Sequence, residues 1–269
     1  MISIKNVTYK YQNGYEALQD INVDISKGEF ICIVGKNGSG KSTFAKVVAG
    51  LLKPTKGEVL INNINTSKKE SFLKLRENIG IVFQNPENQL VFNNVFDEIS
   101  FTLKNLKKDN IEQRIKKALE QVSMLDKEKD DIYELSLGQK QRIAIAEVLS
   151  FEPKYIVFDE PTTMLDSMGK VDVYNIIEGL KEKGYTIVYI TNFADEMLLA
   201  DRIVILDKGK LVKEILKKDI LENIEYLKQY DIQIPVVIEL IIELKKKGFN
   251  IDKFDEKEII KQIAEGFNK

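Results

Sequence analysis

The segment "FICIVGKNGSGKSTFAKVVAG", Phe30 to Gly50, constrains this chain more than any other. Its first five residues are apolar throughout, the pattern of a strand buried on both faces rather than one facing water. The strand runs into "GKNGSGKS", Gly35 to Ser42, which matches G-x-x-x-x-G-K-[ST] at the strand-to-helix junction where that pattern has a mechanism. Glycines let the backbone wrap closely with its N–H groups pointing inward, and the helix beginning near Lys41 adds partial positive charge. The loop reads as a cradle for a phosphate chain, with Gly35, Asn37, Gly38, Ser39, Gly40, Lys41, Ser42 and Thr43 as its binding set. Lys41 is expected to reach the β- and γ-phosphates and Ser42 to ligate Mg²⁺.

Bulk composition narrows the partners. With 40 basic against 42 acidic side chains, 43% hydrophobic and 30% charged residues, no global field favours nucleic acid or an anionic membrane. Cys32 stands alone inside "EFICIVG", so no intrachain disulfide is possible and a small core residue in a reducing cytoplasm is expected. The start "MISIKNVTYKY" lacks the apolar stretch of a secretory signal, and no run of about 18 apolar residues predicts a membrane span.

Alternation in "ISIKNVTYKY" and "LQDINVDIS" predicts half-exposed antiparallel strands, whereas "FICIVG", "YIVFDE" and "TIVYIT" predict strands buried on both sides. Helical patterns lie between these, so the fold class is α/β, with a mixed sheet that is antiparallel near the N-terminus and parallel at its centre. Residues 92 to 150 read as a helical insertion. After a closing hairpin around Lys208 and Gly209, residues 216 to 269 read as a small helical extension, in which Pro235 opens "PVVIELIIELKKKG" and Gly248 ends it.

"YIVFDEPT" ends a buried strand on two carboxylates, at the strand edge where α/β sheets put ligands. Asp159 suits a hard dication, and Glu160 is placed to orient and polarise an attacking water. With these residues the chain resembles the ATP-binding-cassette ATPases over residues 1 to about 215, implying a P-loop NTPase core with ATP and Mg²⁺ as cofactors. The distinguishing marker is "LSLGQKQR", similar to the family signature LSGGQ, with Leu137 in place of the first glycine and Ser136, Gly138 and Gln139 retained. The resemblance implies that this segment opens a helix facing the γ-phosphate of an opposite subunit, and that Asp166 in "TTMLDS" crosses the interface between subunits. It also implies that Tyr11 stacks on adenine, although a plain strand tyrosine is the alternative. Gln84 in "VFQNPENQ" corresponds to a residue that senses Mg²⁺ and water and links the site to a transport partner. Asn192 in "YITNFADE" occupies the position where the family usually has a histidine on the γ-phosphate, and this chain contains no histidine at all.

"FQNPENQLV", "EPTTMLD" and the tail containing "IPVVIELIIELKKKGFNI" resemble the ATPases of energy-coupling-factor vitamin and cobalt-type transporters. That likeness implies a second cassette subunit, identical or related, a membrane scaffold protein and a substrate-capturing membrane protein, with this chain at the cytoplasmic face. The surface after Gln84 is expected to receive a short helix of the membrane partner. The tail helices are read either as a solvated cap or as a dimerisation element. Two other functions stand beside transport: a soluble non-transport cassette ATPase, and a nucleotide-binding subunit whose hydrolysis is weakened by Asn192 and Leu137.

Overall fold

The computed structural model describes residues 1–68, 72–249, 251, 254 and 256–267. Asn250 of the tail pattern, and residues 252, 253, 255, 268 and 269 of the expected extension, lie outside the described residues. The first half of the chain comprises β1 (Ile2–Lys10), β2 (Glu16–Ile25), β3 (Phe30–Val34), α1 (Lys41–Val48), β4 (Lys56–Ile61), β5 (Ile64–Asn65), α2 (Phe72–Asn78), β6 (Ile79–Val82), α3 (Val95–Asn105) and α4 (Ile111–Gln121). It continues with α5 (Leu137–Ser150), β7 (Tyr155–Asp159), α6 (Ser167–Glu182), β8 (Thr186–Ile190), β9 (Arg202–Asp207), β10 (Lys210–Leu216), α7 (Ile224–Gln229), α8 (Val236–Lys246) and α9 (Glu256–Phe267).

Among the described residues the strands form two sheets, not one. An antiparallel sheet has the order β2-β1-β4-β5, and a larger sheet has the order β10-β9-β3-β8-β7-β6, parallel except for the β9–β10 hairpin. The expected alternation holds from Ile21 to Ile25 of β2 but breaks in both strands at a residue of positive φ: Asn6 takes φ 49° in β1 and Asp20 takes φ 50° in β2, and the pairing register shifts between Ile4 and Val7 and again between Val7 and Tyr9. Such a bulge re-aims the side chains that follow it.

Every residue of β3, β7 and β8 is buried, because both faces of the larger sheet are covered. Ile31, Ile33, Tyr155, Val157, Val188 and Ile190 face the layer built from α1 and the antiparallel sheet. Phe30, Cys32, Ile156, Phe158, Ile187 and Tyr189 face α3 to α6 and the tail. The period of two along a strand divides one apolar run between two cores. Cys32 is fully buried, which pushes its thiol well up and leaves it a packing residue.

The helices α3, α4 and α5 fall inside the stretch 92 to 150 and pack on one another. The tail adds Ile220, Leu227, Ile238, Ile241, Ile251 and Ile259 to the same apolar cluster as one face of the larger sheet. A hydrogen bond from backbone to side chain ties it to the core: the N–H of Val236, at the start of α8, donates to Asp195 Oδ1 at 3.1 Å. Replacing Ile241, which has no exposed surface, by alanine should cost about 2–5 kcal/mol through lost burial and a cavity. Urea unfolding followed by circular dichroism measures this; an unchanged midpoint would show that the tail contributes nothing to the core.

Candidate active site

The turn after β3 is shaped by contacts that sequence alone does not reveal. Gly40, at the head of α1, has φ 105°, and a Cβ there would sit 2.4 Å from the carbonyl oxygen of Ala17, so only glycine fits. The β9–β10 turn braces the loop from behind: Gly209 N donates to Ser39 O at 2.8 Å and Gln19 N to Gly209 O at 2.8 Å. Lys41 is nearly buried, and its Nζ donates to the carbonyls of Gly35 (2.8 Å) and Lys36 (3.0 Å). Burial pulls this ammonium below its ordinary value, against the nearby charges of Glu160 and Asp159.

A cleft of about 560 Å³ opens over this turn, lined by Tyr11, Asn37, Gly38, Gly40, Lys41, Ser42, Thr43, Gln84, Glu160 and Asn192, together with Tyr15, Ala17 and Thr163. Gly35, Ser39 and Asp159 do not line it. Gly35 lies against the backbone of Leu206 and faces a neighbouring cavity of about 220 Å³ shared with Asn192 and Asp231; Ser39 is buried. Asp159 is buried beneath the cleft with the Ser42 side chain near its carboxylate, and its Oδ1 has no hydrogen-bond partner. Burial raises this carboxyl above its ordinary value.

Glu160 combines a φ of 52° with a buried side chain, a backbone conformation that side chains other than Asn and Asp seldom adopt. Its N–H donates to Ile190 O at 3.0 Å, tying the end of β7 to β8. Its carboxylate takes two side-chain bonds: Asn192 Nδ2 donates to Oε1 at 2.6 Å and Thr163 Oγ1 to Oε2 at 3.3 Å. The asparagine expected at a phosphate therefore grips the acid. Its amide nitrogen carries two hydrogens, so one remains for a second acceptor.

Tyr15 was missed by sequence reasoning. Gln12, Asn13 and Gly14 form a tight loop that sets Tyr11 and Tyr15 side by side, with Gly14 N donating to Tyr11 O at 2.9 Å and Tyr11 N to Tyr15 O at 2.8 Å. The two rings stack 18° from parallel, 6.4 Å apart. Tyr11 OH bonds Thr43 Oγ1 (2.9 Å) and Tyr15 OH donates to Gly38 O (3.2 Å), so both rings stand at the mouth of the cleft. The "NG" dipeptide between the tyrosines was the available signal.

Ser136, Gly138, Gln139 and Asp166 are not brought to this cleft. They line another, of about 340 Å³, with Leu137, Arg142 and Gly169. Ser136 and Gln139 form a reciprocal capping box at the start of α5, and Asp166 caps α6 by accepting from Gly169 N at 2.7 Å. A Cβ on Gly138 would lie 3.5 Å from Gly169 Cα, so two helix starts meet there almost backbone to backbone. Leu137 is partly buried against the main apolar cluster and also lines this cleft.

A strand-bounded cradle, an acid pair at the adjoining strand end, stacked tyrosines and a capped helix start define a nucleotide-binding cassette fold. Residues 18–163 match the family model of the ABC transporter. The energy-coupling factor transporter ATP-binding protein EcfA1 of Clostridium novyi is 43% identical over 258 residues, covering 93% of this chain and 92% of its own length. A putative ABC transporter ATP-binding protein of Pyrococcus horikoshii is 40% identical over 258 residues, covering 92% and 90%. Among solved structures, CbiO1 from Clostridium perfringens, part of the ABC transporter complex cbiONQ, matches with a TM-score of 0.75 at 33% identity, over 89% of this chain and 98% of that one. A dimeric ATP-binding cassette in a post-hydrolysis state, bound to ADP and Pi, matches at 0.74 and 32%, over 81% and 99%. The chain belongs to the ABC transporter family and is an ATP-binding, ATP-hydrolysing enzyme of that kind.

Beyond Gln84 the surface forms a groove of about 320 Å³ between β6, α2, α3 and α5, lined by apolar side chains including Phe72, Leu73, Phe83 and Phe151. Glu147 stands at its wall, accepting from Thr102 Oγ1 (2.6 Å) and Gln89 Nε2 (3.0 Å). Burial pushes this carboxyl from 4.5 up to about 7; the two hydrogen bonds oppose the shift and the Glu98 charge adds to it. Between those values the folded chain holds a proton that the unfolded chain has released, so this group's contribution to stability falls as pH rises from about 4.5 to 7 and is flat above. Glu147→Gln should remove that dependence. Urea midpoints taken at about pH 5 and pH 8 should show the variant gaining on the parent chain at the higher pH; parallel midpoints would refute the shift.

Proposed function

We propose that this chain is the ATP-binding and hydrolysing subunit of an energy-coupling factor type importer, powering uptake of a vitamin or a transition-metal ion through membrane partners. The observation that carries the reading is the separation of the two clefts. One holds the phosphate loop with Glu160 and Asn192; the other holds the start of α5 with Asp166; they share no lining residue. Each is half of a site, and two cassettes facing one another complete two sites. In that arrangement Ser136, Gly138 and Gln139 of one cassette meet the nucleotide on the other, where the N-terminus of α5 offers partial positive charge. The second subunit is a copy or a relative of this chain.

Tyr11, with Tyr15 beside it, supplies an aromatic platform for adenine, and the loop amides with Lys41 hold the phosphates. The residues beneath the cleft fit a magnesium ion. Asp159 Oδ1 is a buried acceptor without a partner, the Ser42 hydroxyl lies beside it, and Gln84 adds an amide oxygen at the rim. Among the described residues no cluster of three or more His, Cys, Asp or Glu side chains is suited to a metal, so the remaining ligands are phosphate and water. Bound there, the ion neutralises charge on the β- and γ-phosphates.

Glu160 orients the attacking water. Its strained backbone and the Asn192 bond hold one carboxylate orientation, and the second amide hydrogen of Asn192 is available to a γ-phosphate oxygen. The amide cannot become cationic near neutral pH as a histidine can. Hydrolysis is therefore slowed relative to a histidine-bearing site, while binding is retained. Hydrolysis then reopens the paired cassettes and couples chemistry to a domain movement.

The names of the relatives, the continuity of the match into the tail and the groove beyond Gln84 support the transport reading. Among the described residues no helix is long and apolar enough to cross a membrane, so attachment to the cytoplasmic face relies on partner proteins docked at the groove. Residues 1–215 form the nucleotide-binding domain, with residues 92–150 as its helical insertion, and residues 216–269 form the extension. The apolar residues exposed on α8, Val236 and Leu240, favour a dimerisation role for that extension.

Glu160→Gln should lower steady-state hydrolysis by at least about 100-fold while ATP binding persists, trapping a closed dimer on size-exclusion chromatography. An unchanged rate removes Glu160 from this role. Asn192→His should raise turnover in the same assay; a fall would show that the site is built around the amide.

A further inference from the structure

Glu196 is a charged side chain with only 2% of its surface exposed, buried directly behind the two loops that carry Glu160 and Asn192. Four hydroxyl groups from different parts of the fold donate to it. Oε1 accepts from Thr162 Oγ1 at 2.5 Å and from Tyr174 OH at 2.7 Å; Oε2 accepts from Tyr189 OH at 3.0 Å and from Thr191 Oγ1. Thr162 lies two residues after Glu160, and Thr191 immediately precedes Asn192. The Thr191 hydroxyl also accepts from Phe193 N at 2.9 Å, so a single hydroxyl spans the turn in which Asn192 sits.

We propose that Glu196 is a positioning residue for ATP hydrolysis: through Thr162 and Thr191 it locks the loop bearing Glu160 to the loop bearing Asn192, and so sets the hydrogen bond between them. The inference rests on the reading in which Glu160 orients water, and it adds to that reading a residue outside the cleft. Burying a carboxylate is costly, and a well-packed apolar side chain at such a place would often serve stability as well or better. What the apolar side chain lacks is direction. A carboxylate offers two oxygens in a fixed plane, and hydrogen bonds to an ionised acceptor are short and strong. Burial and the Glu196 charge both push the hydroxyls of Tyr174 and Tyr189 up, so they remain protonated donors. The bond it aims, from Asn192 Nδ2 to Glu160 Oε1, decides which way the catalytic acid points.

The test is steady-state hydrolysis by the full chain at concentrations where it dimerises, with ATP affinity measured separately by calorimetry. Glu196→Gln preserves shape but turns a donor toward hydroxyls that are themselves donors. It should lower kcat on the order of ten- to a hundredfold and leave ATP affinity within about twofold, as expected when catalytic geometry alone is misplaced. In an Asn192→Ala background the same substitution should have a much smaller effect, because the bond it sets is already gone. Tyr174→Phe removes a donor that lies on α6, away from both loops, and should leave kcat within about twofold. If Glu196→Gln does not fold, Thr162→Val, which deletes one donor, and Thr191→Val, which deletes one donor and the acceptor of Phe193 N, should reproduce the selective loss of kcat. An unchanged kcat in the folded Glu196→Gln chain, or in both threonine variants, overturns the proposal. So does a loss of ATP affinity in parallel with kcat, or full additivity with Asn192→Ala. Glu160→Gln separates the two ideas: if it keeps its turnover, the role of Glu160 fails, whereas if it loses turnover and Glu196→Gln does not, only the role of Glu196 falls.

Discussion

A buried ammonium must be surrounded by acceptors, and the placement of Lys41 at the head of α1 organises much of what lies around it. Its Nζ draws in the carbonyls of Gly35 and Lys36, which folds the loop over the end of β3. The loop can take that path only because Gly40 admits the Ala17 carbonyl and because the β9–β10 turn accepts Ser39 against Gly209. Asp159 and Glu160, delivered by the neighbouring strand, supply negative charge on the far side. The antiparallel sheet, the parallel sheet and the closing hairpin thus converge on one lysine.

A second constraint links the ends of β7 and β8. Parallel neighbours deliver their C-terminal residues to the same edge, and here that edge carries Glu160 just beyond one strand and Asn192 just beyond the other. Backbone pairing alone sets the spacing of the two loops to within a strand separation. Side-chain orientation needs more, and it comes from the Glu160 backbone strain, the Thr163 bond and the buried cluster around Glu196. The tail reaches the same region: Asp195, one residue before Glu196, caps the start of α8, and Asp231 pairs with Lys36 of the phosphate loop. That ion pair is exposed and worth little energetically, so the tail is held mainly by its buried isoleucines.

Much of this was readable before any coordinates. Continuous apolar runs marked β3, β7 and β8, because a strand covered on both faces has no polar face to show. The cradle, the acid pair and the "LSLGQ" helix start were legible since each depends on local chemistry at fixed spacing. Less legible were the features that depend on what lies opposite. The antiparallel and parallel strands separated into two sheets instead of one, as pairing partners are chosen by packing across layers. Leu137 looked like a defect in the signature, yet it is partly buried against the core while still lining the cleft, and the close approach is made by Gly138 with Gly169. Tyr15 and Glu196 went unassigned, because the contacts that place them come from residues far along the chain.

By itself, then, the sequence determined the buried strands β3, β7 and β8, the nucleotide cradle and the absence of any imidazole, since these follow from residue type and periodicity along the chain. Only the tertiary structure decided that the cradle and the helix start of α5 lie in separate clefts, that Asn192 bonds Glu160, and that a carboxylate stands buried behind both. The physical reason is that hydrogen bonds between side chains far apart in sequence are set by strand order and layer packing. Neither leaves a trace in local pattern.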